Sequence, residues 1–113
     1  MESKIIDLNQ RLLDNFIEKH RPPVELRDQL DYGYAIEGRV VRIFEIRPFW
    51  LDQSEIIESA VARAKFVKSR SVWKVYWMRA DLKWHPYDPQ REVSSLAAFL
   101  ELVEEDKYGC FWG

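Results

Sequence analysis

The sequence predicts an α+β fold: a four-stranded antiparallel meander flanked by an N-terminal and a C-terminal helix. Three observations carry this. Apolar residues recur at three- and four-residue spacing near both ends of the chain and at alternate positions between them. Proline, glycine or serine punctuates each change of period. At 113 residues and 47% hydrophobic content, the chain fits one domain, residues 1–113, able to bury a core without disulfides.

The first helix is expected over about residues 3–20. Ser3 can cap it, and Ile5, Leu8, Leu12, Leu13 and Phe16 form its apolar stripe. Pro22-Pro23 cannot continue a helix, and the period then changes to two. Val24, Leu26, Leu30, Tyr32, Tyr34 and Ile36 share one face of a first strand, 24–36. Glu37-Gly38 reverses the chain into a second strand, 39–47, which Pro48 closes because proline cannot donate to a ladder. Residues 49–59 read as a connection.

A third strand, 60–68, sets Ala62, Ala64 and Phe66 against Arg63 and Lys65, and its small alanines imply a bulky neighbour. Ser69-Arg70-Ser71 turns the chain into a fourth strand, 72–80. There the apolar set passes from Trp73, Val75 and Trp77 to Met78, Ala80, Leu82 and Trp84. A regular strand cannot exchange its faces, so either a bulge or a strand end is expected between Tyr76 and Arg79. Ser94 or Ser95 then caps a last helix, 94–107, with Leu96, Phe99, Leu100 and Val103 on one face.

Charge is segregated along this framework. Residues 60–91 hold eight basic and two acidic side chains, a net +6, and each flanking stretch sums to -4. The same third carries Phe66, Trp73, Tyr76, Trp77, Trp84 and Tyr87, and basic residues interleaved with aromatics are what a nucleic-acid groove requires. The ligand-binding candidates are therefore Lys65, Lys68, Arg70, Lys74, Arg79, Lys83 and Trp84. A second constellation, Glu45, Arg47, Arg79 and Asp81, reads first as a salt-bridge network ordering the end of the sheet. An anion pocket is the alternative, since arginine forks match carboxylate and phosphate.

Several chemistries find no support. His20, His85 and Cys110 are scattered without zinc-ligand spacing, so no metal site is expected. Four unclustered glycines make no phosphate loop, and no cofactor is implied. A restriction-type nuclease would place lysine where Glu45-Ile46-Arg47 has arginine. The apolar runs are far shorter than the roughly 20 residues a membrane span needs. One cysteine and no signal-peptide pattern favour a reducing, cytoplasmic compartment.

The stretches "RPPVELRDQLDYGYAIEG", "VRIFEIRPFW", "AKFVKSRSVWKVYWMRADLKWHPY" and "DKYGCFWG" resemble an uncharacterised bacterial family, domain of unknown function 3024, over about residues 21–113. The resemblance implies a small stand-alone bacterial protein and brings no activity, cofactor or partner. From the residues themselves, a non-enzymatic module binding nucleic acid through segment 60–91 ranks first. A protein-interaction or oligomerisation domain, a homodimer being its simplest form, comes second; it would use a sheet edge or the apolar tail Cys110-Phe111-Trp112-Gly113. A phosphoester hydrolase around Glu45, Lys65 and Asp81 comes third.

Overall fold

A computed structural model describes residues 2–112, without the side chains of residues 2–7, where the expected Ser3 cap falls. The chain is α+β. Helix α1 (Glu2–His20) precedes strands β1 (Asp31–Glu37), β2 (Val40–Pro48), β3 (Ile56–Val67), β4 (Val72–Met78), β5 (Trp84–Pro86) and β6 (Glu92–Val93), and helix α2 (Leu96–Glu105) closes the order. The sheet runs β1-β2-β3-β4-β5, with β6 also on β4. The expected meander is β1 to β4; the two short strands add to it. Among the described residues no helix is long and apolar enough to cross a membrane.

The contacts gather into two compact units. The first comprises residues 1–34 and 44–59. Here α1 buries Leu13 and Phe16, while Leu8 and Leu12 of the same stripe stay exposed. Arg21 at the helix end forks onto Asp31, Nε at 2.9 Å and Nη2 at 2.7 Å from the two carboxylate oxygens. The Tyr34 hydroxyl donates to Asp14 at 2.6 Å. Together these tether the start of β1 to α1.

The first strand does not begin at Val24. Pro23 instead opens a 3-10 turn, Val24–Leu26, and the chain keeps turning until Leu30. The Leu26 N–H bonds to the Pro23 carbonyl at 2.8 Å and the Leu30 N–H to the Leu26 carbonyl at 3.1 Å. Val24 is 71% exposed and Leu26 52%, so the first two positions of the alternation bury nothing. The third strand differs in the opposite sense, starting at Ile56 rather than Ala60. The loop ahead of it closes when the Phe49 N–H reaches the Glu55 carbonyl at 2.8 Å, which leaves the β-branched Ile56 and Ile57 free to extend β3.

The second unit comprises residues 35–43 and 60–113. Across β3 and β4, Ala62 faces Trp77, Ala64 faces Val75 and Phe66 faces Trp73. The alanines are fully buried and the Phe66 and Trp73 rings sit 5.2 Å apart. Helix α2 lies against β4 and β6 and buries Leu96, Phe99, Leu100 and Val103, residues spaced to share one helical face. Ser95 is the cap, its hydroxyl accepting from the Ala98 N–H at 3.1 Å.

The helix ends at Glu105, two residues short of expectation, because Asp106 takes the left-handed conformation with φ 41°. Its carboxylate accepts the Phe111 and Trp112 backbone N–H groups, both at 2.9 Å. The tail is thereby docked: Phe111 is buried against Tyr87, and the Trp112 indole donates to the Val103 carbonyl at 2.8 Å.

Candidate functional site

The β3–β4 hairpin has a core face and an open face. A four-residue turn, Lys68 to Ser71, joins the strands, with Ser71 at φ 50°. The register it sets puts Arg63 opposite Tyr76, Lys65 opposite Lys74 and Val67 opposite Val72, all on the face away from Ala62, Ala64 and Val75. The Phe66 N–H bonds to the Arg39 carbonyl at 2.8 Å and brings Arg39 beside the end of β3. The result is a shallow groove of about 750 Å³ lined by Arg39, Lys65, Lys68 and Lys74, with Tyr76 as its aromatic wall.

Charge in this groove is unbalanced. Lys65 is exposed and directly opposite Lys74, an arrangement that destabilises a sheet. Glu92 is paired with Lys74 on the other side, but its carboxylate is taken by both Nη atoms of Arg70, one at 3.0 Å and one closer. Arg70 above all, and Lys74 in addition, hold the Glu92 carboxyl below its usual range. Among the described residues no carboxylate pairs with Arg39, Lys65 or Lys68. The Arg63 guanidinium lies 5.4 Å from the centre of the Tyr76 ring, a cation–π contact.

The seven candidates from sequence therefore separate into two groups. Lys65, Lys68 and Lys74 line the groove, and Arg70 borders it while bound to Glu92. Arg79, Lys83 and Trp84 belong to the other end of β4, about 13 Å along the strand from Lys74 at the usual rise. There the change of face is explained by a strand end: β4 stops at Met78, a turn with Leu82 at φ 61° follows, and Trp84 returns on β5 opposite Met78. Arg79 rests over the Trp77 ring at 5.5 Å. Asp81 accepts from the Lys83 N–H at 3.0 Å and meets His85 Nε2 at 2.8 Å; the His85 bond, then the Lys83 N–H, hold its carboxyl below the usual range.

Glu45 and Arg47 of the second constellation lie on β2 in the first unit and bind each other, while Arg79 and Asp81 lie in the second. Each carboxylate has a partner within its own unit. Among the described residues no three His, Cys, Asp or Glu side chains gather as a metal ion would need. His20 stacks on Phe16 with ring centres 4.5 Å apart, and the half-buried Cys110 thiol is pushed up chiefly by burial.

Arg39 and Tyr76 stood outside the candidate set although both line the groove. A hairpin centred between Ser69 and Arg70 pairs residues equidistant from that centre, so the Lys65–Lys74 and Arg63–Tyr76 partnerships were available from the turn alone. Arg39 was not, because its place depends on how β2 meets β3.

Comparison with known proteins adds identity. A family model described as a domain of unknown function (DUF3024) matches residues 2–113. No curated protein and no solved structure matches the chain.

Proposed function

Since the chain belongs to the family of the domain of unknown function (DUF3024) and takes no activity from its description, we propose a role from its own geometry: a non-enzymatic module that binds the phosphate backbone of nucleic acid along the β3–β4 groove. The observation that carries this is the Lys65–Lys74 pair, two like charges in register of which Lys65 meets no carboxylate among the described residues, within a groove that also holds Arg39 and Lys68. Like charges in register raise the energy of the free protein, and a polyanion laid along the groove relieves it. The Tyr76 ring suits a base of such a ligand. A cytoplasmic setting goes with this reading, as nucleic acid is there and the lone Cys110 suits a reducing compartment.

The test is titration of the purified protein with DNA and RNA at low and moderate salt, read by tryptophan fluorescence. Saturable, salt-sensitive binding is expected, and Lys65→Glu with Lys68→Glu should weaken it and flatten the salt slope by roughly 0.7 per lost single-strand phosphate contact. A double mutant with the parent's affinity and slope would remove the groove from consideration.

A second reading, a protein-contact surface, has its own observation. Trp50 is 79% exposed, Leu51 67% and Ile56 71%, all in or beside the β2–β3 loop. The apolar tail, docked through Phe111, does not supply such a surface. A concentration-dependent mass that Trp50→Ala with Leu51→Ala abolishes would favour this reading.

A further inference from the structure

We infer that the groove takes single-stranded nucleic acid and that one base lodges in a small cavity beside Tyr76. The inference rests on the phosphate-binding reading above and specifies the ligand. Strands β5 and β6 share one edge of β4: Tyr76 pairs with Pro86, and Lys74 with Glu92. Between them the chain bows outward, held to Val75 by two bonds of 2.9 Å, from the Val75 N–H to the Arg91 carbonyl and from the Tyr87 N–H to the Val75 carbonyl. The gap between the two short strands is a cavity of about 270 Å³, with Tyr76 and Pro86 as its apolar wall and Lys74, Arg91 and Glu92 among its polar lining.

Lys74 and Tyr76 line both this cavity and the larger groove, so a strand whose phosphates follow the lysines passes directly by the cavity mouth. The register sets Arg63 on one side of Tyr76 and Pro86 on the other. The guanidinium occupies the β3 side of the ring, and the cavity opens on the β5 side. An aromatic ring backed by a guanidinium, with a proline across from it, is a platform for the flat face of a base. A base inside a duplex is already stacked on both faces and reaches such a cavity only by flipping out, whereas an unpaired base enters at once.

Glu92 adds a choice among bases. Bound to Arg70, it is ionised at neutral pH, and a carboxylate holding an arginine keeps lone pairs to spare. It accepts from the exocyclic amino group of cytosine or adenine; thymine and uracil present a carbonyl oxygen there and are repelled.

The experiment measures binding of short labelled oligo(dC) and oligo(dT), with unlabelled inorganic polyphosphate as competitor. It uses the parent protein, Tyr76→Leu, Tyr76→Phe and Glu92→Gln. The parent should prefer oligo(dC) several-fold. Tyr76→Leu should lose on the order of tenfold in affinity for oligo(dC) while competing polyphosphate binds as before, Tyr76→Phe should keep both, and Glu92→Gln should erase the base preference. Equal affinity of the parent for the two oligomers, or undiminished oligo(dC) binding by folded Tyr76→Leu, would overturn the base cavity and leave the phosphate groove standing if polyphosphate still competes. Failure of the parent to bind either oligomer or polyphosphate would overturn both.

Discussion

Lys65 and Lys74 lie directly opposite each other in the β3–β4 ladder, on the face that α2 does not cover. Two lysines in register repel, and Glu92, paired across from Lys74 on the other side, has its carboxylate engaged by Arg70. The sheet thus carries a local electrostatic penalty that folding does not require.

Lys65→Glu should separate stability from binding. It converts the repelling pair into an attracting one, so urea denaturation at low salt should show a gain of roughly 0.2–1 kcal/mol that shrinks as salt is added. Nucleic-acid binding should fall in the same protein. A variant that loses stability as well as binding would show that Lys65 has a structural role in the hairpin.

The Arg21–Asp31 fork makes a distinct contribution to acid stability. The Arg21 hydrogen bond holds the Asp31 carboxyl below its ordinary value of 3.8, with the Tyr32 N–H also lowering it. A carboxyl lowered by folding stabilises the native state fully above that ordinary value and loses its contribution as pH falls through the folded-state value. Asp31→Asn should therefore lower Tm at neutral pH and reduce the steepness of acid unfolding below about pH 4. Parallel Tm–pH curves for the two proteins would mean that the fork is not coupled to folding.

Gly33 should resist substitution within β1. A Cβ there would sit 2.7 Å from Cε2 of Phe44 and 3.3 Å from Cδ1 of Ile46, and the Phe44 ring is buried. Gly33→Ala should destabilise by about 1–3 kcal/mol through overpacking, against the gain that replacing a strand glycine usually brings. Equilibrium denaturation of the variant measures this, and an unchanged midpoint would mean that Phe44 moves aside freely.

The fold was legible where burial and periodicity agree. Both helices and the β3–β4 hairpin follow from stripes that do reach the core: Leu13 with Phe16, Ala62 with Ala64, Phe99 with Val103. Alternation failed at Val24 and Leu26, where Pro22-Pro23 set a turn and solvent takes the apolar side chains. After Met78 the exchange of apolar faces did mark a strand end, and one sequence run is two strands joined by a tight turn. Of the site, the lysines were readable from charge, and Tyr76 needed only the hairpin register. The cavity between β5 and β6 was not readable, because it arises from two three-dimensional pairings on a single edge of β4.

Asp106 should act as the clasp of the C-terminal tail. Its left-handed backbone stops α2, and its two carboxylate oxygens hold the Phe111 and Trp112 N–H groups, so termination and docking depend on one residue. Asp106→Gly keeps the backbone conformation accessible and removes only the clasp, whereas Asp106→Ala removes the clasp and places a β-carbon where the left-handed region penalises it. Asp106→Ala should therefore be less stable than Asp106→Gly by about 1 kcal/mol, while both release the tail equally. Amide hydrogen exchange separates the two effects: faster exchange at Phe111 and Trp112 in both variants, with α2 amides still protected in Asp106→Gly. Protected tail amides in Asp106→Gly would assign the docking to Phe111 burial and the Trp112 indole bond, with the carboxylate a bystander.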